Sequence, residues 1–554
     1  MKHKLVCLFS ILVIVSCQTK EAKINLEAPE TPFHWNAATI YLLLTDRFNN
    51  GDETNDVNFG RTEETGVLRG FEGGDIKGIT QKIKEGYFTD LGINAIWLTP
   101  IVEQIHGITD EGTGNTYPYH GYWAKDWTSL DPNFGTKADL KEMVETAHQF
   151  NIRILLDAVV NHTGPVTEKD QVWPEEWVRT SPTCTYQDFE TTVSCTLVEN
   201  LPDVKTESNI EVNLPPALVE KWKKEGRYED EIASLNSFFE ETGYPKAPRF
   251  YIMKWLSDYI KDFGIDGYRV DTVKHTEPYV WQEFNKICNR AFKQWKNENP
   301  KQVLDNQDFF LLGEVYNYAI SHKKAYDFGD KQVNYFDDAF NSLINFELKW
   351  NALQQDYETH FSRYAKVLSN ELNGFGIVNY VTSHDDGKPF DLKRIKNKEA
   401  ANRLLLSPGT AQIYYGDETA RLLEIGGTVG DATLRSFMNW DQLNSLTETQ
   451  NILAYWQKLG KFRAKHPAIG AGSHQQIQAN PYVFSRKFST EDFQDEVIVA
   501  LHYAEEEKII DVESIFSEND LLFDAFSEQQ VKVVNGQVRL TSSYETVLLE
   551  KLNY

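Results

Sequence analysis

Between residues 38 and 418 one pattern recurs: a short continuous apolar run that closes on a polar or charged residue, then a stretch of helical periodicity. The runs occupy 38–45, 94–99, 153–161, 266–272, 309–314, 376–385 and 410–418, with a weaker one at 342–348. An apolar run without alternation is a strand buried on both faces, and the segments between have the spacing of amphipathic helices. Ile79, Ile83, Phe88 and Leu91 share one helix face, and Leu140, Val144, Ala147 and Phe150 another. Ile252, Trp255, Leu256, Tyr259, Ile260 and Phe263 share a third. Eight such units predict an α/β chain folded as a (β/α)8 TIM barrel, whose reactive groups collect at the C-terminal ends of the strands. Asp157, Asp271, Glu314 and Asp385 fall at such ends.

Two stretches break the rhythm. Residues 163–248, after the third strand, are rich in Pro, Trp and acids without barrel periodicity, and are expected to form an inserted lobe. From about residue 466 the pattern changes to short strands at 482–488, 496–503, 508–512, 532–534, 537–541 and 546–552, with a hairpin turn at Asn535-Gly536. The expected division is a barrel of 34–162 and 249–465, an insert of 163–248, and a C-terminal antiparallel β-sandwich of 466–554.

Residues 1–16 carry Lys2 and Lys4, no acid, and an apolar run from Leu5 to Val15, which is a secretion signal too short to span a bilayer. Its end, Ile14-Val15-Ser16-Cys17, is similar to a bacterial lipoprotein box, which implies acylation of Cys17 and a polar tether over 17–33. The chain is thus expected to be exported and lipid-anchored in a Gram-negative-type bacterium, on the periplasmic face or cell surface. It would meet the membrane through that lipid alone. Cys7 leaves with the signal, and Cys184 and Cys195 remain as a pair available for a disulfide in an oxidising compartment. Cys288 sits among apolar helical neighbours as a buried thiol.

The 554 residues carry a net charge of −26, which disfavours nucleic acid and anionic lipid and suits neutral substrates or bound cations. Thirteen Trp, 26 Tyr and 32 Phe offer flat faces on which sugar rings stack. Arg269 and Asp271 lie two apart on one strand and point the same way, so the guanidinium keeps Asp271 ionised, as a nucleophile requires. Glu314 closes the apolar run Phe309-Phe310-Leu311-Leu312-Gly313, where burial raises a carboxyl pKa and suits a general acid. His384-Asp385 closes another run and could hold a pair of substrate hydroxyls. Two carboxylates flanking a bond are what glycoside hydrolysis requires.

The blocks Asp157-Ala158-Val159-Val160-Asn161-His162, Gly267-Tyr268-Arg269-Val270-Asp271-Thr272-Val273-Lys274-His275, Gly313-Glu314-Val315 and Ser383-His384-Asp385 resemble, in order, the signature regions of glycoside hydrolase family 13, the α-amylase family. Leu201-Pro202-Asp203 supplies a fifth. Glu103-Gln104-Ile105-His106-Gly107, Tyr119-His120-Gly121-Tyr122-Trp123 and residues 462–470 are similar to stretches of bacterial periplasmic α-amylases. The resemblance implies that Asp271 is the nucleophile, Glu314 the acid/base and Asp385 the transition-state stabiliser. It implies that Arg269 orients Asp271 with support from Asp157, and that His120, His162 and His384 bind hydroxyls above the stacking face of Tyr122. Lys274 and His275 would reach the leaving side. It further implies a structural calcium on Asn161, Asp203 and the His275 carbonyl, and a second calcium loop of Asn50, Asp52, Asn55, Asp56, Gly73 and Asp75.

The activity so implied is retaining endo-hydrolysis of α-1,4-glucosidic bonds in starch, glycogen or maltooligosaccharides by a monomer. A glucanotransferase or cyclomaltodextrin hydrolase would use the same acids. A non-catalytic glucan-binding protein would be expected to lack one of them. Two features depart from the pattern: Ser383 replaces the commoner Asn, and Asp386 adds a charge that strand alternation turns away from Asp385. The loop 431–435 has no counterpart in the matched motifs, which leaves the distal subsites unassigned.

Overall fold

The computed structural model describes residues 31–552 except 338, so the signal segment, Cys17 and most of the tether lie outside the described residues. Eight parallel strands close into a barrel: β1 (Thr39–Leu43), β2 (Ala95–Leu98), β3 (Arg153–Ala158), β4 (Gly267–Val270), β5 (Phe310–Gly313), β6 (Ser342–Asn345), β7 (Gly376–Tyr380) and β8 (Thr410–Tyr414). Neighbours pair in chain order and β8 returns to β1. Every residue of these strands is buried, which is why their sequences run apolar without alternation.

Local sequence fixes the surrounding helices. Asp75 caps Ile76–Lys84 by accepting from the Gly78 N–H, and Thr136 and Asp139 form a reciprocal capping box on Lys137–Gln149. Pro248 opens Pro248–Phe263, and Gly264 ends it at φ 72°, a left-handed conformation that costs glycine little.

One strand is shorter than its apolar run. β7 ends at Tyr380 instead of reaching residue 385, and His384 and Asp385 lie on the loop beyond it. There Asp386 turns to the Lys349 ammonium and accepts from the Tyr380 hydroxyl at 2.9 Å, bending the chain out of the sheet.

Between β3 and Pro248 the chain forms a ribbon of Val178–Arg179 with Asp203–Val204 and the helices Glu190–Val193, Pro216–Lys224 and Tyr228–Thr242. Cys184 and Cys195 are joined within it, and Cys288 is a buried free thiol in the barrel wall. A second excursion, Val102–Gln104 paired with Ala124–Leu130, follows β2 and has no signature in the apolar pattern.

The C-terminal region is an antiparallel sheet in the order Ser473–Gln478, Tyr482–Ser489, Gln494–Leu501, Val547–Lys551, Leu521–Asp524, Gln529–Lys532. A two-stranded sheet, Glu507–Asp511 with Gln537–Thr541, contributes Ile510 and Val538 to a core shared with Val483, Ile498 and Leu549. Asn535 and Gly536 both have positive φ, 53° and 71°, and close a tight turn between Val534 and Gln537. The flanking strands diverge into different sheets, so the expected hairpin is a single bridge long. His466 joins barrel and sheet, with Nδ1 2.7 Å from Asp495 and Nε2 2.6 Å from Glu550.

The first described residues lie against the N-terminal ends of the barrel strands. Thr31 donates to the Lys465 carbonyl at 3.2 Å, and Trp35 stacks at 3.8 Å on Phe310, the first residue of β5.

Candidate active site

Strand register brings the charged groups together. Arg269 on β4 pairs across the sheet with Asp157 on β3, and its guanidinium lies 3.0 Å from that carboxylate. The same guanidinium reaches Asp271, just past β4, at 2.6 Å and Glu314, just past β5, at 3.0 Å. Three carboxylates thus converge on one buried arginine. Asp157 is further fixed by the Trp97 indole at 3.1 Å and the Tyr122 hydroxyl at 2.9 Å. Thr272 holds a left-handed φ of 50°, strained for a β-branched residue, and there its N–H donates to Glu314 Oε2 at 2.9 Å.

Burial dominates the electrostatics. Desolvation, with Asp271 and Asp385 adding repulsion, outweighs Arg269 and pushes Glu314 up to about 8. Asp157 is likewise raised by burial, to about 7, against the pull of Arg269. Asp385 is held below the ordinary carboxylate range, because His384, Arg269 and the Ser383 hydroxyl at 2.9 Å together outweigh its desolvation. A protonated Glu314 therefore faces ionised Asp385 across the mouth of the barrel.

The aromatic and imidazole groups line the same space. Tyr122 stacks nearly parallel to His384, with centroids 5.4 Å apart. Its N–H donates to His120 Nδ1 at 3.1 Å, and its carbonyl accepts from His162 Nε2 at 3.1 Å. Burial lowers the pKa of His120, His162 and His384 alike, so His120 and His162 are neutral near pH 7 and free to bind hydroxyls. Tyr122, His162, Asp271, Lys274, His275, Glu314, His384 and Asp385 border one cleft of about 570 Å³. His120 opens onto the adjoining space of about 640 Å³, which continues the groove past Arg435.

Motif reasoning missed several of these groups. Arg435 donates to the His384 carbonyl at 2.9 Å and pairs with Asp431 at 2.5 Å, and Arg69 meets the same Asp431 at 3.0 Å. The Asp431–Arg435 stretch, unassigned by motif, thus borders the distal groove. Tyr186 and Tyr316 border the opposite side. Nothing in their local sequence marks them, since chain folding alone brings them to the mouth.

No group of three or more His, Cys, Asp or Glu side chains among the described residues converges as a metal centre, so any cation would rest on at most two carboxylates together with amide and backbone oxygens. Asn161 and Asp203 do meet next to His275–Thr276: Thr276 donates to Asn161 Oδ1 at 3.2 Å, and buried Asp203 Oδ1 has no hydrogen-bond partner. Desolvation holds Asp203 well above its usual range. An orphaned buried carboxylate oxygen next to the Asn161 side chain fits a hard cation, although Arg179 takes the other Asp203 oxygen at 3.0 Å.

In the N-terminal loop, Asn50 bonds Asp56 at 2.9 Å, and Asp75 accepts from the N–H groups of Gly51 and Asp52 at 3.1 and 2.8 Å. A Cβ on Gly73 would lie 2.5 Å from Asn50 Nδ2, and Asn55 Oδ1 is buried without a partner. These five residues fit a cation loop. The side chain of Asp52 does not join them: it caps Thr54 and pairs with Lys77 at 2.5 Å.

Residues 42–439 match the model of the family described as "Alpha amylase, catalytic domain". The chain is 33% identical over 524 residues to a periplasmic alpha-amylase of Escherichia coli K12, covering 83% of this chain and 72% of that protein. It is 27% identical over 514 residues to a cyclomaltodextrin glucanotransferase of Geobacillus stearothermophilus, covering 89% of this chain and 63%, under two thirds, of that longer protein. Among solved structures it superposes on the alpha-amylase of Geobacillus thermoleovorans complexed with acarbose, with a TM-score of 0.64 at 23% identity, covering 94% of this chain and all of the other, a likeness of fold. A closed parallel barrel whose mouth gathers three acids on one arginine, within a region that fits the catalytic-domain model, places this chain in the α-amylase family of glycoside hydrolases.

Proposed function

We propose that the protein hydrolyses internal α-1,4-glucosidic bonds of starch-type glucans with retention of anomeric configuration. The observation that carries this reading is the Arg269 guanidinium, which holds Asp271 at 2.6 Å and Glu314 at 3.0 Å while burial keeps Glu314 protonated. Two carboxyl groups one guanidinium apart, the second kept neutral by burial, suit a nucleophile and an acid on opposite sides of a single glycosidic bond. Glu314 delivers its proton to the glycosidic oxygen as an Asp271 oxygen bonds to the anomeric carbon and the leaving chain departs with the bond's electron pair. Glu314, now ionised, takes a proton from water, whose oxygen displaces Asp271 and restores both groups. Asp385 stabilises the positive charge that develops on the sugar ring, and Tyr122 stacks beneath that ring. His120, His162 and His384 bind its hydroxyls, and Lys274 and His275 receive the departing chain.

Calcium at Asn161, Asp203 and the His275 carbonyl would tie the insert to the barrel, and the loop of Asn50, Asn55, Asp56, Gly73 and Asp75 would take a second ion. The secretion signal, and similarity to a protein named as periplasmic, support export, with Cys17 as the lipid-bearing residue. The exposed ring of Tyr316 near Lys274 also favours a second reading, glucan transfer, in which a sugar acceptor displaces Asp271 in place of water.

Incubation with soluble starch and with maltoheptaose, resolving products and anomers over time, separates these readings. Mid-length products appearing early as α-anomers are the expected result. Products longer than the starting oligosaccharide indicate transfer, and β-anomers would overturn retention.

A further inference from the structure

The loop closed by Cys184 and Cys195 touches the cleft in two places. On its inner side the Thr192 carbonyl accepts from His275 Nδ1 at 2.9 Å, and Tyr186, its hydroxyl bonded to the Leu197 carbonyl at 2.8 Å, stands at the cleft edge. On its outer side Phe189 meets a hairpin that follows β5, Ala325–Asp327 paired with Gln332–Asn334. The Phe189 ring lies edge-on to Phe328 at 5.1 Å, its N–H donates to Asp330 at 2.9 Å, and the Lys331 ammonium lies 3.7 Å from its ring centroid. Phe328 packs on Tyr326 at 5.0 Å, and the Tyr326 hydroxyl sits 3.5 Å from Lys274 Nζ and donates to the Tyr316 carbonyl at 3.0 Å. Phe189, Phe328 and Tyr326 therefore run in a chain of contacts that ends beside Lys274, whose Nζ lies 5.8 Å from the Tyr326 ring and 5.9 Å from that of Tyr186, carried on the same loop as Phe189.

We propose that this strap, built from insert and barrel, is the outer wall of the leaving-group side of the cleft and sets how many glucosyl units are accepted there. The proposal rests on the hydrolase reading above. Phe189, Phe328 and Tyr326 do not border the cleft themselves, so they act as positioning residues that hold the loop of Tyr186 and the side chain of Lys274 in place. On a short oligosaccharide the wall favours bonds near the reducing end, whose departing fragment ends at it, whereas a polymer chain runs out past it. The disulfide limits how far the loop can swing aside, because it ties together the two ends of the segment that carries Tyr186 and Phe189.

The test uses maltoheptaose labelled at its reducing end and reads the lengths of labelled fragments at early time. The full-length protein is expected to release mainly short labelled fragments. Phe189→Ala and Phe328→Ala are expected to raise the ratio of long to short labelled fragments by about two- to tenfold, the size of effect expected from losing one aromatic contact. Both side chains are only part-buried, so thermal melting should be nearly unchanged, and Phe189→Tyr should keep the original pattern. The paired Cys184→Ser, Cys195→Ser variant should shift the pattern in the same direction. A Phe189→Ala protein that cuts with an unchanged pattern overturns the proposal. A parent protein that leaves the oligosaccharide uncut overturns instead the reading on which it rests.

Discussion

Arg269 and Asp157 occupy facing register positions on adjacent barrel strands and meet at 3.0 Å, both fully buried. The pair is a foundation for the chemistry above it, because the same guanidinium aims Asp271 and Glu314. Removing one partner of a buried ion network costs about 3–5 kcal/mol, since the remaining charges keep their desolvation cost. Arg269→Met is therefore expected to lose that stability in urea unfolding and nearly all turnover on starch. Asp157→Asn should keep more of both, because the Asp271 and Glu314 contacts to Arg269 survive.

Glu314→Gln removes the transferable proton and keeps the shape of the side chain. Turnover on starch should fall about 10²–10⁴-fold, with glucan binding retained by calorimetry. Near-normal rates would remove the acid/base assignment.

The pH behaviour follows from the raised Glu314. Its acid form persists to about 8, so the alkaline limb of kcat/KM should fall near that pH, and Glu314→Gln should abolish this limb along with the activity. The same shift has a stability sign. A carboxyl whose folded pKa exceeds its unfolded value makes the native state bind more protons, so its contribution is full below the unfolded pKa and is lost as pH rises through about 8. Urea midpoints should fall over that window in the parent and more shallowly in the Gln variant.

Lys349 shields Asp385 from its neighbour. Its ammonium takes the Asp386 carboxylate, which also accepts from Tyr380 at 2.9 Å. Lys349→Met leaves a second negative charge beside Asp385 and should raise the pKa of Asp385. The acid limb of kcat/KM is expected to move to higher pH, and Asp386→Asn in the same chain should restore it.

Calcium binding by Asn161 and Asp203 would be visible as stability. A ligand at 100 times its Kd stabilises the native state by about 2.7 kcal/mol, so chelation should lower the melting temperature and added calcium should restore it. Asp203→Asn should shrink the response to the part owed to the N-terminal loop, and an unchanged melting curve on chelation of the parent would reject the site.

The barrel was legible because its strands are buried on both faces and therefore spell themselves as unbroken apolar runs, even the short Ser342–Asn345. Strand ends were less legible: the apolar character around Val381 continues past the hydrogen bonding of β7, whose pairing with β8 stops at Tyr380. Ser473–Gln478, the edge strand of the C-terminal sheet, escaped notice because its sequence Ser-His-Gln-Gln-Ile-Gln is almost wholly polar. Asp271, Glu314 and Asp385 were readable because the barrel architecture fixes where reactive side chains must sit. Arg69, Asp431 and Tyr186 were not, since each reaches the cleft from a loop whose path no periodicity records.

The placement of Thr31 against Lys465 and of Trp35 under Phe310 decides how an anchored enzyme would face its surroundings. Residue 31 thus lies at the floor of the barrel, on the far side from the acids. A lipid on Cys17, as proposed, would join the protein on the side away from its opening and so leave a bulky branched polymer free access to the acids.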